Sequence, residues 1–163
     1  KGIQYLVDAY LKLKTEKKLV IAGATSDTNE FVQQLHEKTD GNPNIIYTGF
    51  INGKPKNQLY ANAYIYVLPS DLEGMPLTLL EAMSFGNCCV VSSIKECTEV
   101  VDDKAVVFKQ GNVEDLREKL QELCDKPNEV EKMQSESADF ICKKYSWDDV
   151  VARTMGLYRR VLG

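Results

Sequence analysis

A chain of 163 residues, 44% of them hydrophobic, is long enough for one domain with a full core. Its net charge of −4 argues against the basic stripe of a nucleic-acid surface, and no run approaches the roughly 20 apolar residues of a membrane span. Five cysteines (88, 89, 97, 124 and 142), odd in number and without a C-x-x-C pair, indicate neither a disulfide framework nor a zinc site; Cys88 and Cys89, in the apolar run CCVV, read as buried thiols, and a reducing cytoplasm is the default expectation.

The chain opens on KGIQYLVDAY, which has neither the layout nor the cleavage site of a signal peptide and reads like a helix from the middle of a larger protein. Ile3, Leu6, Val7 and Tyr10 share one face of a helix predicted over 3–13. KLVIAG (18–23) is a short buried strand, 29–38 a helix, and NIIYTG (44–49) a strand after the turn Asp40-Gly41-Asn42-Pro43. A short helix follows over 55–62, then a strand over 64–70 stopped by Pro69, then a helix over 76–85 with Pro76 in its first turn. CCVVSS (88–93) and AVVF (105–108) are further strands, and helices over 113–124, 128–143 and 146–162 close the chain. Short apolar strands alternating with amphipathic helices imply α/β architecture: a doubly wound parallel sheet, Rossmann-like, with extra C-terminal helices.

In such sheets ligands bind at the carboxyl ends of strands. The segment after KLVIAG, ATSDTNE, lacks the G-x-G-x-x-G spacing of a dinucleotide site. Gly49 to Lys54 imitates a phosphate loop but is one residue short, and Pro55 stands where Ser or Thr would bind magnesium. The lone His36 lies in the polar stretch QQLHEKTD and reads as a surface residue.

The informative stretch is PSDLEGMPLTLLEAMSFGNCCVVSS (69–93). A strand ends at Pro69, a loop carries Glu73 and Gly74, and a helix starts near Pro76. Free amides of Leu77 and Thr78 at that helix end make an anion site. Glu81, three residues after Thr78, shares its face and could accept two hydrogen bonds from a ribose diol. Glu73 could reach hydroxyls of a sugar on the same diphosphate. The plain alternative is that both carboxylates are merely solvated.

This stretch resembles the signature of retaining GT-B glycosyltransferases of group 1 (family 4): a strand ending in P-S, then two glutamates with seven residues between them, Ala, a small segment ending in Gly, and a strand ending in V-V. Here the residues are Glu73, Glu81, Ala82, Met83 and Gly86. Lys1-Gly2, Ile46 to Phe50, Ser92 to Val101 and Tyr145-Ser146-Trp147 resemble further family segments in order, so the resemblance covers nearly the whole of residues 1–163. It implies one donor-binding domain, the C-terminal GT-B half, truncated at its own N-terminus. An absent N-terminal domain would then carry the acceptor site and any peripheral membrane association.

By the resemblance, Lys1 pairs with the diphosphate of a nucleotide-diphosphate sugar. Glu73, with the backbone of Gly74 and Met75, holds the sugar; Leu77 and Thr78 face the phosphates; Glu81 holds the ribose; Ile51 lies near the base. The implied activity is metal-independent hexosyl transfer in the cytoplasm without a cofactor, commonly in bacterial polysaccharide biosynthesis, with little or no turnover by the isolated chain. A sugar-nucleotide epimerase and a non-catalytic nucleotide-binding or interaction domain stay open as alternatives. Three departures stand out. Pro76 removes an amide where the family often has Gly-Phe-Gly, and Glu96 replaces a glycine. The strand and phosphate-binding Arg that precede Lys-Gly in the family are not in the sequence; their loss would leave a gap in the sheet, unless the protein extends beyond Lys1. The stripe Trp147, Val150, Val151, Thr154, Tyr158 and Val161 on the last helix either packs on the domain's own core or stays partly exposed; partial exposure is the expectation.

Overall fold

The computed structural model of the chain describes residues 1–23 and 29–162. The strand-to-helix segment 24–28, most of the stretch noted for lacking a glycine-rich loop, lies outside the described residues. In chain order the elements are α1 (Ile3–Tyr10), β1 (Leu19–Ala22), α2 (Asn29–Thr39), β2 (Ile45–Gly49), α3 (Gly53–Asn62), β3 (Ile65–Leu68), α4 (Leu77–Ser84), β4 (Cys88–Ser92), α5 (Lys95–Val101), β5 (Val106–Phe108), α6 (Val113–Asp125), α7 (Pro127–Lys144) and α8 (Trp147–Leu162).

The strands are all parallel, but they form two pieces: β1 beside β2, and β3-β4-β5 in that order. β4 is the central strand of the larger piece and reads as an unbroken buried run, as a parallel strand covered on both faces should. Cys89 and Val91 point into a cluster with Leu79, Ala82 and Met83 of α4 and Cys97, Val100 and Val101 of α5. Cys88 and Val90 point the other way, against Leu6 and Ala9 of α1, Phe108 of β5, and Leu116, Leu120 and Leu123 of α6. Helix α7 serves both clusters, with Val130 in the second and Ile141 in the first. Two faces of one sheet thus hold two cores.

Local chemistry fixes the ends of these helices. Asn112 accepts the Asp115 amide at 3.0 Å and caps α6, and Glu114 and Asp115 place negative charge in its first turn. Helix α4 closes on Gly86 at φ 77, with amides of Gly86 and Asn87 turned back to the carbonyls of Met83 and Ala82. That abrupt stop feeds the chain directly into β4.

The described strands do not form one continuous sheet. β1 and β3 share no ladder hydrogen bonds. The Lys17 ammonium sits over the Tyr64 ring, 3.7 Å from its centroid, and the Tyr10 hydroxyl reaches the carbonyls of Lys17 and Asn44 at 2.7 and 3.3 Å. Val20 and Ile46 stay exposed on the smaller piece. Helix α8 buries none of its residues: Trp147 is 80%, Val151 57% and Tyr158 60% exposed. Its stripe does not pack on the described core. No helix is long and apolar enough to cross a membrane among the described residues.

One element has no counterpart in the sequence reading. Residues 95–101, read there only as a family-like segment, form α5. Its buried residues, Cys97, Val100 and Val101, stand at i, i+3 and i+4, a helical signal too short at seven residues to outweigh the β-branched Thr98, Val100 and Val101.

Candidate functional site

The carboxyl ends of β3, β4 and β5 converge on one edge. β3 runs out into Pro69, Ser70 and the loop 71–75, and α4 starts immediately after the buried Pro76. Ser70 is fully buried, and its carbonyl accepts the Ser92 hydroxyl from the end of β4. The Gln110 side chain, just past β5, donates to the Asp71 carbonyl at 3.0 Å. Three consecutive strand ends therefore hold the loop that carries Glu73.

Glu73 is the most engaged carboxylate of this edge. Its side chain is only 6% exposed. Lys1 Nζ donates to both of its oxygens, at 2.6 and 2.8 Å, and Ser70 Oγ donates to Oε1 at 2.6 Å. Burial alone would push the carboxyl up; the hydrogen bonds from Lys1 and Ser70 and the Lys1 charge outweigh it and hold the group below its ordinary value of 4.5. Glu73 is therefore an anion at neutral pH. A lowered native value gives stability that is complete above about 4.5 and is lost as pH falls through that lowered value. Denaturation of the native chain and of Glu73→Gln from about pH 7 to about pH 3 should show the gap between them closing in acid; a gap that widens there would be the wrong sign.

Lys1 reaches Glu73 because Gly2 lets it. Gly2 lies at φ 68, in the left-handed region, and a Cβ built on it would stand 1.9 Å from the Pro69 carbonyl oxygen. Backbone meets backbone there, so no side chain can give way. Gly2→Ala should cost roughly 1–3 kcal/mol of stability and pull Lys1 off Glu73. A denaturant midpoint unchanged by the substitution would contradict this contact.

Between the two glutamates lies the start of α4. The amides of Gly74, Met75 and Thr78 find no acceptor among the described residues. The Leu77 amide, expected to be free, instead donates to the Met75 carbonyl at 2.8 Å, because Pro76 forces a tight turn just before the helix. Thr78 Oγ1 accepts the Tyr66 hydroxyl at 2.9 Å. One turn further, Glu81 is partly exposed and takes Lys56 Nζ at 2.7 Å on Oε1 and the Tyr60 hydroxyl at 3.1 Å on Oε2. Ile51 is half-buried in the short link between β2 and α3, the helix that carries Lys56 and Tyr60.

The structure thus gathers Gly74, Met75, Leu77, Thr78 and the two glutamates on one loop-and-helix segment, with Lys1 joined to it at Glu73 and α3 at Glu81; Ile51 stands on the link before α3 and makes no hydrogen bond to this segment among the described residues. Ser70, Lys56 and Tyr60 are additions that sequence reading did not single out. Ser70 could have been found from its place three residues before Glu73. Lys56 and Tyr60 carry no such signal, because they meet Glu81 only through tertiary packing across 25 and 21 residues. Cys97 stays protonated near this edge, burial and the Glu73 charge pushing it up to about 11. No group of three or more His, Cys, Asp or Glu residues that could hold a metal ion occurs among the described residues.

This parallel α/β architecture is a Rossmann-like half of the GT-B glycosyltransferase fold. The family model described as "Glycosyl transferases group 1" matches residues 1–140, and the chain belongs to that family. It is 28% identical to an uncharacterised glycosyltransferase of Methanocaldococcus jannaschii over 98% of this chain and 42% of that protein. It is 29% identical to the O-antigen chain mannosyltransferase B of Escherichia coli, again over 98% of this chain and 42% of that one. Among solved structures it resembles sucrose-phosphate synthase of Thermosynechococcus elongatus, with a TM-score of 0.88 at 18% identity over 99% of this chain and 42% of that one. It also resembles Anabaena HepE in complex with UDP and glucose, with a TM-score of 0.87 at 17% identity over 96% and 45%. The chain spans less than half the length of these relatives.

Proposed function

We infer that the chain binds a nucleotide-diphosphate sugar and presents it for retaining transfer of a hexosyl group to an acceptor held by another part of the enzyme. The observation that carries this reading is the order along 73–81: a buried anionic Glu73, free amides at the head of a helix, and a half-exposed Glu81 one turn on. Sugar, diphosphate and ribose follow one another in the same order in a nucleotide sugar. The UDP and glucose bound by HepE support the ligand class.

In this reading the amides of Gly74 and Met75, which the resemblance assigns to the sugar, are instead placed with the Thr78 amide and the positive end of α4 at the leaving diphosphate. Leu77 contributes once its amide turns from Met75. Lys1 spends two donors on Glu73 and keeps a third for phosphate. It also shields the diphosphate from the Glu73 charge. Glu73, with one lone-pair position left on Oε2, orients a sugar hydroxyl rather than attacking the anomeric carbon. Ile51 lines the base, and Glu81 accepts the ribose diol. We further infer a strand between β1 and β3 that completes the sheet, a second domain facing this edge, and a cytoplasmic enzyme.

Titrating UDP, GDP and ADP, with and without attached sugars, against the protein tests the reading. One nucleotide should bind, and attaching the right sugar should tighten it only while Glu73 is present. Binding should also survive chelation, since the diphosphate is met by amides and lysine. Affinity that collapses in chelator and returns with Mg²⁺ would refute the metal-independent part.

A further inference from the structure

Glu81 does not stand alone on α4. Lys56 and Tyr60, four residues apart on α3, share one face of that helix and take one oxygen each of its carboxylate. No other side chain among the described residues donates to it. The Tyr60 hydroxyl also lies 3.4 Å from the Thr78 carbonyl, but its single hydrogen is better used on the nearer, charged carboxylate. The Tyr60 ring is itself fixed, stacked on Phe85 with centroids 5.5 Å apart and tilted against Tyr66 at 5.9 Å. Its carbonyl accepts Asn87 Nδ2 at 3.0 Å, and Asn87 is buried.

We propose that Lys56 and Tyr60 are positioning residues that hold the Glu81 carboxylate ready for the ribose diol. The proposal rests on the donor-binding reading above and adds two residues to it. A carboxylate has about four lone-pair positions. One donor on each oxygen leaves each with a free position and stops the group from rotating. The side-chain freedom that ribose binding would otherwise remove is already gone. Lys56 adds a charge effect, because a bare carboxylate next to a diphosphate would repel it. Burial, followed by the neighbouring Tyr66 and Glu81, pushes the Tyr60 hydroxyl above its ordinary range, so it remains a donor.

The competing account makes Lys56 and Tyr60 a plain tie between α3 and α4. Ribose analogues separate the two. The probes are UDP, GDP and ADP, taking whichever binds the protein most tightly, and its 2′,3′-dideoxy form, titrated calorimetrically. Tyr60→Phe keeps the ring and its stacking, and should weaken the ribonucleotide about three- to tenfold. It should leave the dideoxy form unchanged and have no further effect on top of Glu81→Ala. Lys56→Gln should behave likewise, and Lys56→Arg should restore most of the loss. Equal weakening of both nucleotides, or a Tyr60→Phe effect that simply adds to that of Glu81→Ala, would overturn the positioning role while leaving donor binding intact. If the native protein bound none of the three nucleotides, both readings would fall together.

Discussion

Replacing Glu81 with alanine should weaken binding of the nucleoside diphosphate by about 2–3 kcal/mol, roughly 30- to 150-fold, in isothermal titration. The magnitude comes from hydrogen bonds to a charged acceptor, about 1.5–3 kcal/mol each, set against the modest strain of leaving Lys56 without its partner. The loss should be one of affinity and not of folding. The Lys56–Glu81 pair is partly exposed on both sides, and such ion pairs contribute at most about 1 kcal/mol to stability. Glu73→Ala should behave differently. Its carboxylate sits at the far end of the segment, so the nucleoside diphosphate alone should notice it less than the full sugar donor does. Equal losses for both ligands in both variants would dissolve the assignment of one glutamate to ribose and the other to sugar.

The largest effect on stability is expected from Phe108→Ala, at about 3–5 kcal/mol. Phe108 closes β5, is fully buried, and packs among Leu116, Leu120, Val90 and Leu6. Truncation leaves a cavity lined by a strand and two helices that cannot all collapse into it. For a domain of this size the melting temperature should fall by roughly 6–20 °C. The site should suffer with it, because the Phe108 carbonyl holds the Ser93 amide at 2.9 Å and Gln110, two residues on, ties down the Asp71 loop. Trp147→Ala is the control. Although Trp147 is the larger side chain, it is 80% exposed, so its loss should change stability by less than about 0.5 kcal/mol. Similar thermal shifts for the two variants would mean that α8 packs on this core after all.

Much of this was legible in the residues, and the reason differs from place to place. CCVVS announces a strand buried on both faces because nothing polar interrupts it before Ser92. The helix 113–125 is written twice, in its leucine spacing and in its Asn112 cap. The glutamate pair stood out through its resemblance to a family signature, which is local in sequence because Glu73 and Gly74 lie in one loop and Glu81 in the next helix. Tertiary chemistry was not visible. Nothing in the letters says that Lys1 pairs with Glu73 across 72 residues, that Leu77 turns its amide to Met75, or that Lys56 and Tyr60 reach Glu81. Helix α5 escaped for a local reason, since seven residues rich in β-branched side chains give helix and strand patterns nearly equal weight.

The interrupted sheet and the bare face of α8 belong to one picture. A parallel strand such as β1 normally lies between neighbours, yet here it pairs only with β2, and Val20 of β1 and Ile46 of β2 are exposed. The amphipathic helix α8 likewise presents Trp147, Val151 and Tyr158 outward. Both are apolar surfaces of the kind that other protein covers, as the proposed additional strand and facing domain would do.

The central claim is that a nucleotide-diphosphate sugar lies along residues 73–81 with its ribose at Glu81. Hydrogen–deuterium exchange on the protein, with and without the nucleoside diphosphate it binds, tests this most directly. Slower exchange should appear at the amides of Gly74, Met75 and Thr78 and in the start of α3 around Lys56, and should vanish from both places in Glu81→Ala at the same nucleotide concentration. Protection confined to another surface, such as the groove lined by His36, Asn42 and Tyr47 at the opposite end of β2, would contradict the account.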